Sequence, residues 1–255
     1  MKILATYNIK GGVGKTSTAV NMGYLAARDG YRVLLWDLDP QGAASYLFRI
    51  RPRVKGGGKA LITGTRPVDD AIKGTDFDHL DLLPADFTFR NLDLMLDATK
   101  KPTQRLARLL RPLRTSYDLV FLDCPPSISL LSESVLHAAD LLLVPLIPTT
   151  LSVRTLDQLT GFISDFSGHR PKILAFFSMI DRRKRLHLEI ARELPRERPE
   201  FATAVIPALS VIERMSVERA PVTAFSPRSQ AARAYAELWQ EARERAGLSP
   251  APAGS

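Results

Sequence analysis

The chain has 255 residues, 45% hydrophobic and 24% charged, with a mean hydropathy near zero, a balance that suits a well-packed core and excludes a fibrous or compositionally disordered protein. No apolar run approaches the roughly 18 residues of a membrane span, residues 1–7 read as a strand and not a leader peptide, and one cysteine, Cys124, excludes an intramolecular disulfide framework and points to a reducing, cytoplasmic setting. The net charge of +8 favours polyanionic partners; residues 170–255 hold 15 Lys/Arg against 10 Asp/Glu, and residues 1–169 hold 20 against 17.

In chain order, bounded apolar runs predict strands at 2–7, 32–37, 80–83, 119–123, 141–145 and 173–179, with a weaker one at 204–206. Helical spacing predicts helices over 15–29, 89–97, 102–114, 130–138, 155–166, 187–194 and 229–246. Runs such as Val33-Leu34-Leu35-Trp36 and Leu141-Leu142-Leu143-Val144 show no polar alternation, as in a sheet covered on both faces. Strand–helix alternation therefore predicts an α/β fold, a doubly wound, mostly parallel sheet with helices on both faces, as one domain over 1–247. Ligands of such sheets sit at the carboxyl ends of the strands. The basic, glycine-rich stretch 51–65 is expected to be a mobile surface loop, and the Pro/Ala/Gly/Ser-rich residues 248–255 a disordered tail.

Between the first strand and the first helix lies Lys10-Gly11-Gly12-Val13-Gly14-Lys15-Thr16. Position 9, where the common phosphate loop has glycine, is Ile9; the loop is instead the variant with an added lysine at its start. Gly11, Gly12 and Gly14 are expected to let the backbone adopt conformations closed to other residues and approach phosphates closely. Their N–H groups, with the N-terminus of the following helix, form an anion cradle. Lys15 is expected to reach the β- and γ-phosphates of ATP and the Thr16 hydroxyl to ligate Mg²⁺. Asp37-Leu38-Asp39-Pro40-Gln41 follows the second strand, and either carboxylate could hold a metal-bound water or orient the attacking one. The apolar run 119–122 ends in Asp123, where a carboxylate reaches Mg²⁺ through water. Cys124 reads as a small buried residue.

Together, the loop 10–16, Asp37–Gln41 and Asp123–Pro126 resemble the ParA/MinD family of deviant Walker A ATPases. Softer matches at Leu82-Leu83-Pro84-Ala85, Met179-Ile180-Asp181-Arg182-Arg183, Ile206-Pro207 and Pro227-Arg228-Ser229 extend the likeness over residues 2–244 and point to the ParA branch. The resemblance implies that Lys10 crosses to the partner subunit's phosphates in an ATP-sandwiched homodimer. It also implies that Asp39 positions the attacking water, that Asp37 supports the metal and that Pro207 sits against the adenine. Val13 and Ser17 complete the nucleotide-binding stretch, Ser17 keeping the hydroxyl of a common threonine. Leu209 stands where relatives often carry a base-contacting asparagine.

ParA-like ATP dimers bind DNA without sequence preference, and a cargo-linked, ParB-like partner stimulates hydrolysis. The resemblance thus implies a nucleoid-associated partition ATPase. Arg183 matches the DNA-contacting arginine of relatives, and the compact cluster Arg182-Arg183-Lys184-Arg185, with Arg214 and Arg219, is the expected DNA surface. A MinD-like membrane ATPase is the rival reading. The last helix sets Ala231, Tyr235, Leu238, Trp239 and Ala242 on one side but mixes acids and bases on the other, which favours packing on the sheet over a membrane. One cysteine per chain cannot supply the four thiolates of a shared iron–sulfur cluster. The histidines show no metal-ligand spacing and read as structural or surface residues.

Overall fold

The computed structural model describes residues 1–166 and 168–249. The strands are β1 (Lys2–Thr6), β2 (Val33–Asp37), β3 (Lys73–Gly74), β4 (Leu80–Leu83), β5 (Leu119–Asp123), β6 (Leu141–Leu146) and β7 (Lys172–Phe177). They form one sheet of order β3-β4-β2-β5-β1-β6-β7, parallel except for the short edge strand β3. Neighbouring side chains on a strand enter opposite cores. Leu34 and Trp36 join one apolar cluster while Val33 and Leu35 join the other, all fully buried, which explains why the strands read as unbroken apolar runs.

On one face lie α1 (Lys15–Arg28), α2 (Ala43–Leu47) and α12 (Gln230–Ala246), whose Met22, Leu25, Leu47, Leu238 and Trp239 pack on Leu35 and Phe121. The other face carries α3 (Gly57–Thr63), α4 (Leu92–Asp97), α5 (Arg105–Leu110), α6 (Leu130–Ala138) and α7 (Thr150–Ser164). Helix α8 (Arg185–Glu197) follows β7, and three single turns, α9 (Ser210–Glu213), α10 (Met215–Glu218) and α11 (Val222–Phe225), lead to α12. No helix among the described residues is long and apolar enough to cross a membrane.

The P-loop-type doubly wound sheet agrees with the expectation, and several local elements depart from it. The stretch 51–65 is not a plain loop. Leu61 and Ile62 are buried, and Gly58 packs close to Phe89 and Leu92, so α3 is held by apolar partners that composition does not show. Residues 204–206 form no strand: the Ile206 N–H donates to the Phe177 carbonyl of β7, but the N–H groups of Thr203 and Ala204 are taken by the Glu241 carboxylate of α12. The expected helix 102–114 is cut to Arg105–Leu110 between two 3₁₀ turns; Pro112 lacks the N–H that would continue it. Helix 89–97 begins as a 3₁₀ turn, Phe87–Asn91. Helix α7 starts five residues early, at Thr150, because Thr149 caps it by accepting the Ser152 N–H. The expected tail falls largely on 250–255, outside the described residues, whereas Leu248 packs against the α12 core and the Tyr31 hydroxyl donates to the Ser249 carbonyl.

Candidate nucleotide-binding site

The loop 10–16 joins β1 to α1 at the centre of the sheet's carboxyl edge. Gly12 and Gly14 have φ of 69° and 92°, and a Cβ on Gly14 would lie 2.9 Å from the Ser178 Oγ, so both glycines are dictated by the turn. Gly11 is not in the left-handed region and a Cβ there meets only Pro126 at 3.9 Å, so the expectation that its conformation excludes other residues does not hold. A residue that the motif did not single out sets the loop's entry. Asn8 is buried, accepts the Lys10 N–H (2.8 Å) and donates to the Pro145 carbonyl (2.6 Å), tying the loop to β6. The Lys15 ammonium, buried at the foot of α1, donates to the Lys10 carbonyl at 2.9 Å. Burial pulls it below the usual lysine range, opposed by the charges of Asp123 and Asp39.

The charges of Asp123 and Asp39 reach this lysine, and Asp37 lies beside Asp123 on the neighbouring strand. Asp37 and Asp123 end neighbouring strands in direct register and are fully buried. Asp37 Oδ2 accepts from the Ser45 N–H (2.8 Å) and Ser45 hydroxyl (2.7 Å), and Asp123 Oδ1 from the Thr6 hydroxyl (3.3 Å). Asp37 Oδ1 and Asp123 Oδ2 have no partner. Two orphaned carboxylate oxygens beside the Thr16 hydroxyl fit a hydrated divalent cation, since buried charge without a partner is costly. Among the described residues no group of three His/Cys/Asp/Glu is arranged to hold a metal ion by itself, so a cation here would rely on phosphate oxygens and water for the rest of its shell. Asp39 sits one turn beyond, its Oδ1 accepting the Gln41 N–H at 2.9 Å.

Ser45 is the second residue missed by sequence reasoning. Its hydroxyl donates to Asp37 and accepts the Ala85 N–H at 2.9 Å, so it holds the carboxylate between α2 and the end of β4. Ser45→Ala leaves the Ala85 N–H without its acceptor and takes one of two donors from Asp37 Oδ2, and is expected to lower the unfolding free energy by roughly 1–3 kcal/mol, read from urea denaturation. Burial, reinforced by neighbouring Asp39, raises Asp37 to about 6, and burial with the Asp37 charge raises Asp123 well above the usual range. The sign follows directly. A folded pKa above the unfolded 3.8 contributes stability below about pH 4 that is lost as pH rises through 6. In metal-free protein, Asp37→Asn is therefore expected to gain stability over wild type between pH 4 and 7, by on the order of 3 kcal/mol. Thermal melts across that range check it.

Beside the loop opens a cleft of about 290 Å³, with Gly12, Gly14 and Ser17 on one side and Met179, Pro207, Leu209, Ile212 and Glu213 on the other. Pro207 and Leu209 thus line the same cleft beside the phosphate loop. The expected DNA residues do not form one group. Arg182 to Arg185 make a single exposed turn after β7, in which Arg183 is held bidentately by Asp181 (2.9 Å each) and Arg185 by Glu189. Arg214 instead pairs with Glu218, and Arg219 stacks 4.5 Å from the Tyr46 ring centre and donates to the Tyr46 carbonyl, bracing α2.

Residues 1–175 match the AAA domain family AAA_31. The chain is 32% identical to the sporulation initiation inhibitor protein Soj of Bacillus subtilis over 246 residues, 94% of this chain and 97% of Soj. It is 33% identical to the chromosome partitioning protein ParA of Caulobacter vibrioides, over 96% of each chain. The chain belongs to the ParA/Soj family. Among solved structures, that of cobyrinic acid a,c-diamide synthase from Mycobacterium smegmatis with bound ADP and magnesium superposes with a TM-score of 0.80 and 27% identity, covering 100% of this chain and 99% of that one. ParA-family proteins are ATPases.

Proposed function

We propose that the chain is a ParA-type partition or positioning ATPase whose residues 1–247 act as one ATPase domain. It binds ATP with Mg²⁺, pairs with a second copy across the nucleotides and holds DNA without sequence preference in that state. It lets go when a cargo-linked, ParB-like partner stimulates hydrolysis, which makes it cytoplasmic and nucleoid-associated. One observation carries the reading: a lysine-bearing phosphate loop faces two buried carboxylates that each keep an unpartnered oxygen.

In this reading Lys15 exchanges the Lys10 carbonyl for the β- and γ-phosphates, and the backbone N–H groups of 11–16 cradle the phosphate chain. Thr16, Asp37 and Asp123 hold Mg²⁺, which when bound neutralises charge gathering on the β- and γ-oxygens. Asp39 orients the attacking water, and Pro207 packs on the adenine with Val13 and Ser17 completing the nucleotide site. Lys10 has no ion pair or side-chain hydrogen bond among the described residues, which leaves its ammonium available to a second copy's phosphates. Dimerisation then lasts only while the γ-phosphate remains, the property of a switch.

The test is duplex-DNA binding with and without a non-hydrolysable ATP analogue, with dimerisation followed by gel filtration. Wild type is expected to dimerise and bind DNA only with the analogue. Lys10→Ala is expected to keep analogue binding and lose both the dimer and the DNA complex. Equal DNA binding with and without the analogue would overturn the switch. The membrane reading finds no support in α12, whose Tyr235, Leu238 and Trp239 are buried against the sheet and α1.

A further inference from the structure

A second part of the chain's charge excess lies far along the sequence from the C-terminal arginines. Within 51–73, Arg51, Arg53, Lys55, Lys59, Arg66 and Lys73 face only Asp69 and Asp70, a net +4 that is half of the chain's +8. All six cations are exposed, and among the described residues none forms an ion pair. Of the 15 Lys/Arg in 170–255, by contrast, six are each paired with a carboxylate: Arg183, Arg185, Arg192, Arg198, Arg214 and Arg243. A paired guanidinium must give up its partner before it can neutralise a phosphate, whereas an unpaired one need not.

The segment is also shaped. Val54, Leu61, Ile62 and Val68 are buried and anchor it, so the cations stand on an ordered support. Arg53, Lys55 and Lys73 line a groove of about 610 Å³ together with the backbone of Gly56 and Gly57. The acids facing it are Asp70 and Asp86. Asp86 is occupied, since its carboxylate accepts the Val54 N–H (2.8 Å), the Thr88 N–H (2.9 Å) and the Thr88 hydroxyl (2.6 Å).

The groove opens at the carboxyl end of β4, and Lys73 pairs with Leu82 in register. The basic turn 182–185 follows the carboxyl end of β7. Both therefore lie on the edge of the sheet that carries the phosphate loop, five strand spacings apart in the order β4-β2-β5-β1-β6-β7. At about 4.8 Å per spacing that is roughly 24 Å, or about seven base steps of duplex at 3.4 Å each.

We propose that the 51–73 groove is a second phosphate-backbone contact, so that one DNA duplex is held at both the groove and the 182–185 turn. The choice of DNA over another polyanion rests on the partition reading above; the unpaired cations and the groove do not. Each phosphate neutralised contributes about 0.9 to the slope of log affinity against log salt.

The experiment measures duplex affinity with the ATP analogue across 50–200 mM salt for wild type, Arg53→Glu/Lys55→Glu/Lys73→Glu, the milder Arg53→Gln/Lys55→Gln/Lys73→Gln, and Arg183→Glu. Analogue binding serves as the folding control, and the glutamine set is decisive if the glutamate set does not fold. The groove variants are expected to bind analogue normally, to lose tenfold or more in DNA affinity, and to show a slope smaller by roughly 2–3. Groove variants with wild-type affinity and slope, beside a weakened Arg183→Glu, would overturn the second contact and leave the partition reading standing. Poly-glutamate that binds wild type but not the groove variants, with duplex binding unchanged in all, would also overturn it and assign the groove to an acidic protein. No duplex binding by wild type would remove both.

Discussion

Lys15→Ala is expected to reduce ATP turnover by roughly 10²-fold or more, beyond the detection limit of a phosphate-release assay for a slow ATPase. Lys15 is the one cation buried within the loop, and its ammonium is already within the cradle, 2.9 Å from the Lys10 carbonyl. Its removal leaves the backbone N–H groups to bind phosphate but takes away the charge that grows in value as the terminal phosphoryl separates. It also removes a positive charge that favours the ionised form of Asp123. Unchanged turnover in Lys15→Ala would refute the assignment of the site.

Trp239→Ala is expected to destabilise the fold by about 3–5 kcal/mol, the largest effect of any single truncation outside the site. The indole is 1% exposed, lies in the core between α1, α12 and the sheet, and packs near Phe121 and Tyr31 with centroid distances of 6.2 Å. Its Nε1 donates to Asp29 Oδ2 at 2.8 Å, so truncation opens a cavity and strips a half-buried carboxylate of a donor. Urea denaturation checks the size. If Trp239→Ala unfolds with wild-type stability but no longer sediments with liposomes, α12 is a membrane element and the packing described here is not its working state.

What could be read along the chain was whatever is contiguous. The phosphate loop is seven consecutive residues, Asp37 and Asp123 each end an apolar strand and Asp39 follows two residues on, so composition and spacing single out Lys15, Thr16, Asp37, Asp39 and Asp123 as candidates without reference to anything distant. The sheet was legible for the same reason, since strands buried on both faces must be apolar throughout. The tertiary structure decided everything that depends on a partner far along the chain. Ser45 matters because β4 brings Ala85 to it, 40 residues on, and Asn8 because β6 brings Pro145, 137 residues on. Helix 57–63 forms because Phe89 and Leu92 cover it, while no strand forms at 204–206 because Glu241 takes the N–H groups of Thr203 and Ala204. Charge behaves likewise. Counting placed the basic surface in the last third, but pairing decides which cations are free, and pairing is a property of space: carboxylates hold six of the thirteen arginines in 170–255, while the six cations of 51–73 form no ion pair among the described residues.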